Sequence, residues 1–154
     1  MKAYSALFLV SALLVTPAIA ASTTFTITPL VSDEVGVAPV QDTDLINPWG
    51  LAQSSDGAPV WTSDNGTSKS TFYNRLSGGK QTPVVAVPNL PTGIGSVPAS
   101  TSFKVSLNET QGSCVFAFAT ITGLILGWAP SLDNFNAMTG YDGSCDGSVY
   151  TGLA

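Results

Sequence analysis

The stretch GLAQSSDGAPVWTSDNGTSKSTFYNRLSGGKQTPVVAV, residues 50–87, carries four short runs that favour extended chain. They are Gly50-Leu-Ala-Gln53, Pro59-Val-Trp-Thr-Ser63, Ser70-Thr-Phe-Tyr-Asn74 and Pro83-Val-Val-Ala-Val87. β-Branched and aromatic side chains dominate them, as strands require. Turn chemistry separates them at Ser54-Ser-Asp-Gly57, Asp64-Asn-Gly-Thr67 and Ser77-Gly-Gly79. Asn, Asp and Gly tolerate positive φ, so these clusters reverse the chain within a few residues. Four short antiparallel strands joined by tight turns make one blade of a β-propeller.

The same order then recurs. Thr92-Gly-Ile-Gly95 echoes Trp49-Gly-Leu-Ala52, Cys114-Val-Phe-Ala-Phe-Ala-Thr120 takes the second place and Leu124-Ile-Leu-Gly-Trp128 the third. Residues 131–142 supply a loop and a weaker outer strand, and Tyr150-Thr-Gly-Leu-Ala154 opens the pattern again. Gly50 and Gly93 lie 43 residues apart, within the roughly 40–50 residues of propeller repeats. Gly93 and Gly152 lie 59 apart, so an insertion is expected in that interval. No later segment holds apolar spacing at three and four with caps, and little α-helix is expected beyond residue 20. The expected fold is all-β, a partial propeller of about two to three blades, with a compact sandwich of the same strands as the alternative.

Working back toward the N-terminus, Thr24-Phe-Thr-Ile-Thr-Pro-Leu-Val31 alternates at period two and reads as a further strand. Ahead of it lies a different kind of segment. Lys2 is followed by the apolar run 6–15, then Pro17 and the small-x-small triplet Ala18-Ile19-Ala20. This is the layout of a secretory signal peptide cleaved between Ala20 and Ala21. The apolar run is shorter than the roughly 20 residues that span a bilayer. The expected organisation is a signal peptide over 1–20 and a propeller-type domain over 21–154. The expected location is extracellular, or periplasmic in a Gram-negative host, with no membrane span left after cleavage.

Composition narrows the function. Charged residues make up 10% of the chain, the net charge is −5, and there is no histidine. The basic residues after the signal are Lys69, Arg75, Lys80 and Lys104, too few and too scattered to neutralise a phosphate backbone. Nucleic-acid binding is excluded. Without histidine, Ser-His-Asp and Cys-His catalysis and His-ligated zinc are excluded as well. The two cysteines, Cys114 and Cys145, read as one disulfide in an exported chain, worth about 3–4 kcal/mol; two buried free thiols are the alternative.

Several motifs together resemble a known family: Asn47-Pro-Trp-Gly-Leu-Ala52, Trp61-Thr-Ser-Asp-Asn-Gly-Thr67, Ser70-Thr-Phe-Tyr-Asn74, Pro91-Thr-Gly-Ile94, Phe116-Ala-Phe-Ala-Thr120 with Gly127-Trp-Ala-Pro130, and Tyr150-Thr-Gly-Leu-Ala154. In order and spacing they are similar to exported, conserved hypothetical microbial proteins with a β-propeller of the NHL-repeat kind. Members of that family are much longer, and the cysteine pair is not part of its pattern. The resemblance implies a fragment of a larger propeller, and it carries over no catalytic residue. An open set of blades would leave unpaired edges, so self-association through those edges is expected.

The individual candidates are few. Asn65 and Asn108 begin N-glycosylation sequons, and both also suit ordinary turns. Asp64 opens a hairpin-like turn. Asp142-Gly-Ser-Cys-Asp-Gly147 places two carboxylates on one loop, without the spacing of an EF-hand. Asp33, Asp42, Asp44 and Asp133 are further carboxylates, and no spacing selects a pair among them for acid–base work. Trp49, Trp61 and Trp128 could stack on sugars or pack the blades; packing is the expected use. The expected function is an exported binding or scaffold module for a small molecule, glycan or protein, with no cofactor. The alternative is a propeller hydrolase or lyase using loop carboxylates and calcium.

Overall fold

The computed structural model describes residues 24–55, 57–99 and 103–153. The expected signal peptide and its Ala20–Ala21 junction lie outside these residues. The fold is all-β. Among the described residues no helix is long and apolar enough to cross a membrane, and the helical turns are two short 3-10 segments, Asn65–Thr67 and Ser144–Asp146.

The chain starts with a two-residue parallel pairing of β1 (Val31–Ser32) and β2 (Val40–Gln41). The first large sheet follows: β3 (Pro48–Ala52), β4 (Val60–Asp64), β5 (Lys69–Ser70), β6 (Phe72–Tyr73) and β7 (Val85–Ala86). Its order is β3-β4-β5-β7, with β6 also pairing to β4. The second large sheet is built from β8 (Pro91–Ser96), β11 (Phe116–Thr120), β12 (Leu124–Trp128) and β13 (Met138–Asp142), every neighbour antiparallel. A hairpin of β9 (Lys104–Leu107) and β10 (Thr110–Ser113) is inserted between β8 and β11. It is the insertion that the 59-residue interval demands. Its two-residue turn is Asn108-Glu109, both at positive φ (48° and 66°), the geometry of a tight primed hairpin turn.

Two expectations are corrected. Of the run 24–31, residues 24–29 carry no strand pairing among the described residues, with Phe25 and Ile27 83% and 91% exposed; pairing begins only at Leu30, whose carbonyl accepts from Val40 N–H at 3.3 Å, and at Val31 in β1. Periodicity is a property of the segment, whereas a strand also needs a neighbour's backbone. The run 70–74 is not one strand but two. β5 pairs with β4 only at Lys69, and β6 pairs with Val60 and Trp61, while the Thr71 carbonyl between them accepts from Thr62 N–H at 2.9 Å.

The large sheets pack face to face through one apolar core. Alternation on β4 turns Trp61 toward the second sheet; it stacks on its own sheet's Phe72 (4.0 Å, 9°) and meets Phe116 (4.7 Å) and Trp128 (5.0 Å) of the second. Val85, Val87, Ile94, Phe118 and Leu126 complete this core. Aromatic pairs of this kind add about 0.5–1.5 kcal/mol each beyond the area they bury. A smaller core, Val105, Cys114 and Ala129, lies under the inserted hairpin.

The first strands of the two sheets run close together at a glycine. A Cβ on Gly50 would lie 2.9 Å from Ile94 N and 3.0 Å from Thr92 O. The geometry repeats one step on. A Cβ on Gly93 would lie 2.6 Å from Gly152 C, because residues 150–153 lie against β8 as β8 lies against β3. Tyr150 N–H donates to Thr120 O (3.2 Å), and Thr92 Oγ1 donates to Tyr150 O (2.7 Å). Gly50, Gly93 and Gly152 thus mark one structural position repeated three times. Sheets stacked in this way, none closed into a barrel, are compatible with a partial propeller-like arrangement.

The clearance at Gly50 yields a prediction. Gly50→Ala is expected to lower stability by about 1–3 kcal/mol, since its Cβ meets backbone that cannot move alone. Gly152 has open space around it, so Gly152→Ala should stay within about 0.5 kcal/mol. Urea denaturation of both variants decides it; equal effects would contradict the close approach.

Candidate functional site

The titratable residues converge on the face of the first sheet that looks away from the second. Thr62 and Asp64 alternate with Trp61 and Ser63 on β4, so they project to this outer face together with Thr71 and Tyr73. Asp64, Thr71 and Ser63 are wholly buried. Segment 40–46 covers the outer face and brings Asp42 and Asp44 onto it.

The result is a chain of polar contacts. Thr62 Oγ1 donates to Asp64 Oδ1 at 2.7 Å. Asp64 Oδ2 lies 2.7 Å from Thr71 Oγ1, which lies 2.8 Å from Tyr73 Oη. Tyr73 Oη–H donates to Asp42 Oδ2 at 2.7 Å. Lys80 Nζ then bridges Asp42 Oδ1 and Asp44 Oδ2, each at 2.7 Å, and Lys69 Nζ donates to Asp44 Oδ1. Asp44 N–H closes a local turn on Asp42 Oδ1 (3.0 Å).

Tyr73 donates to Asp42 and Thr71 Oγ1 donates to Asp64 Oδ2, while Thr62 Oγ1 also lies 2.9 Å from Thr71 Oγ1, so the hydroxyls form one connected cluster around Asp64. Burial pushes the Asp64 carboxyl up to about 6, against the pull of Thr62 and Thr71, and the Asp42 charge raises it further. Burial would also raise Asp42, but hydrogen bonds from Lys80, the Asp44 N–H and Tyr73 outweigh it and hold Asp42 below the usual carboxylate value. Lys69 and then Lys80 do the same for Asp44. Burial pushes the Tyr73 hydroxyl well up.

The remaining candidates do not join this cluster. Asp33 is exposed near β1. Asp133 is half-buried and accepts from Phe135 N–H (2.7 Å), Asn136 Nδ2 (2.9 Å) and Asn136 N–H (3.1 Å), which lowers its carboxyl. Asp142 is exposed and accepts from Ser144 Oγ and N–H at 2.6 and 2.9 Å. Among the described residues no three of His, Cys, Asp and Glu gather as a metal-binding group. Asn65 Nδ2 donates to Pro91 O at 3.2 Å, tying this sequon to the start of β8. Asn108 is exposed at the hairpin turn. Trp61 and Trp128 are core residues, whereas Trp49 is 46% exposed.

The cysteines are not brought together. Cys114 is a buried free thiol and Cys145 an exposed one. Cys114 packs on Gly127, near the end of β12, and the turn carrying Cys145 packs on Gly123, just before its start. About 13 Å of extended chain separates those two points, and a disulfide needs Cα atoms within about 7 Å.

A second feature lies on the outer face of the second sheet. Val97, Pro98, Phe103, Ala117 and Ile125, with Ser96 at the rim, line an open cleft of about 260 Å³ whose walls are almost entirely apolar. Period-two reading missed it because Phe103 and Val97 reach it from the loops around the inserted hairpin. Compared with protein-family models, curated proteins and solved structures, the chain gives no match.

The raised Asp64 carboxyl makes stability depend on pH. The folded carboxyl holds its proton more tightly than the unfolded one, so the fold is favoured below the unfolded value near 4. That advantage is lost as pH rises through about 6. Stability is expected to fall by on the order of 2–3 kcal/mol from pH 4 to pH 7, and Asp64→Asn should flatten that part of the profile. Denaturation across this range checks it; a flat wild-type profile would refute the upward shift of Asp64.

Proposed function

We propose that this chain is an exported binding or scaffold module, which acts by presenting the faces and loops of propeller-type blades. The observation that carries the reading is the apolar cleft on the outer face of the second sheet, open to solvent and floored by Ala117 and Ile125. Apolar walls in a concave site suit a ligand group or partner side chain that gains by leaving water. The exposed Trp49 and the loop residue Phe135, 61% exposed, offer further contact surface. Asp42, Asp44 and Asp64, by contrast, are consumed by internal partners. They hold segment 40–46 on the first sheet. The signal-like segment 1–20 and the resemblance to exported NHL-type propellers support delivery outside the cytoplasm.

The enzymatic alternative is a hydrolase or lyase working through loop carboxylates and calcium. One observation favours it: Asp64 ionises near 6, a useful value for a general acid or base. Yet Asp64 is fully buried beneath segment 40–46 and surrounded by hydroxyls, so no substrate reaches it in this conformation.

Expression of the full chain in a secreting host tests the reading in two steps. The recovered protein should begin at Ala21 on N-terminal sequencing. It should also enhance the fluorescence of the apolar dye 1-anilinonaphthalene-8-sulfonate, and Ile125→Lys should remove most of that enhancement. Retention of residues 1–20, or dye binding indifferent to Ile125, would count against it.

A further inference from the structure

We propose that Asn108, at the tip of the inserted hairpin, is an N-glycosylation site, and that Asn65, which begins the other sequon, carries no glycan in the folded protein. The proposal rests on the proposed export of this chain, since the sugar donor is met on a secretory route. The group transferred is an oligosaccharide held on a polyprenyl diphosphate. Asn108 Nδ2 bonds to its anomeric carbon, the anomeric carbon–oxygen bond breaks with its electron pair going to the diphosphate, and one amide proton passes to a base of the transferase.

One pair of residues fastens the hairpin to the molecule. Val105 and Gly112 face each other across β9 and β10. Val105 is buried and packs on Gly127, and a Cβ on Gly112 would lie 2.6 Å from Leu132 Cγ. Beyond that pair every residue is exposed: Ser106 opposite Gln111, Leu107 opposite Thr110, then Asn108 and Glu109 in the turn. Among the described residues neither the Asn108 nor the Thr110 side chain has a hydrogen-bond partner. The amide that would carry the sugar and the hydroxyl that completes the sequon are therefore both unengaged. A glycan is bulky and hydrated, and an exposed hairpin tip accommodates it without displacing packed residues. Turn chemistry explains an asparagine at 108, which tolerates positive φ, but the turn makes no use of the Thr110 hydroxyl.

Asn65-Gly66-Thr67 has the same three-residue signature and the opposite surroundings. Asn65 Nδ2 donates to the carbonyl of the buried Pro91 at 3.2 Å, and its Oδ1 accepts from Asn47 Nδ2 at 3.3 Å. A Cβ on Gly66 would lie 2.6 Å from Ile46 Cγ2, so the middle of the sequon is packed against segment 40–46. Thr67 Oγ1 donates to Asp44 O at 2.6 Å. All three residues are thus used by the fold. A glycan on Asn65 would have to enter where the end of β4 meets the start of β8, beside the segment that Asp42 and Asp44 hold in place. It opposes closure of the two sheets, whereas a glycan on Asn108 leaves that closure untouched.

Expression of the full chain in an N-glycosylating secretory host tests this. The folded protein in the medium should carry a single glycan, released by peptide-N-glycosidase with conversion of Asn108 to aspartate, and peptide mapping should find Asn65 unmodified. Asn108→Gln and Thr110→Ala should each abolish the glycan's mass, Thr110→Ser should keep it, and Asn65→Gln should leave it unchanged. Thr110→Ala and Thr110→Ser retain Asn108 in its turn, so they separate loss of the sequon from loss of the hairpin. A folded secreted chain without a glycan, a glycan on Asn65 of the folded protein, or a glycan that survives Thr110→Ala would overturn the proposal. Protein that begins at Ala21 and lacks the glycan overturns this proposal alone. A chain retained in the cell behind its own residues 1–20, yet glycosylated at Asn108 when the host's leader replaces them, overturns the export reading alone.

Discussion

Trp61 stands where the two large sheets meet, and the rest of the architecture depends on that contact. Its ring lies flat on Phe72 within its own sheet and tilts against Phe116 and Trp128 of the other. Two conditions allow this. β4 must present Trp61 on the inner face, which its alternation ensures, and the first strands must approach closely enough to close the core, which Gly50 allows. A side chain at Gly50 would hold the sheets apart at β3 and β8. Packing through the aromatic cluster joins the two sheets into one core.

The same alternation that directs Trp61 inward directs Thr62 and Asp64 outward, and this explains the buried polar cluster. A carboxyl sealed from water without a cation is costly when ionised. Burial raises the Asp64 carboxyl to about 6, and its hydrogen bonds run through Thr71 and Tyr73 to Asp42, where Lys80 balances the charge. Its structural effect is to fasten segment 40–46 across the first sheet, and with it the turn that presents Asp44 to Lys69 and Lys80. Ser63, on the inner face, has the opposite fate: its Oγ is buried with no hydrogen-bond partner among the described residues.

The two outer faces are chemically unlike. That of the first sheet is polar where Asp42, Asp64 and Tyr73 interlock, with Trp49 and Leu51 exposed on β3. On that of the second sheet, residues 150–153 lie on Gly93 and Gly95, the inserted hairpin packs on Gly127, and the apolar cleft lined by Val97, Phe103, Ala117 and Ile125 opens on the same face.

Much of this was legible in the residues themselves. Short β-rich runs between Asn-Gly, Asp-Gly and Gly-Gly turns specified an all-β chain, and the spacing of Gly50 and Gly93 set the repeat, because turn chemistry and side-chain alternation are local properties. The hairpin at 104–113 was visible only as an unexplained excess of length. Pairing was not legible. Residues 24–28 carry a strand's alternation without a strand's partner, and Cys114 and Cys145 share a chain without sharing a neighbourhood, since both depend on which distant backbone lies alongside. The Asp64 cluster was hidden for the same reason: Asp42, Asp64, Tyr73 and Lys80 have no common spacing, and they meet only because one strand face is covered by segment 40–46. Local chemistry determined the elements; tertiary packing decided which carboxyl is buried away from a cation and which faces stay open.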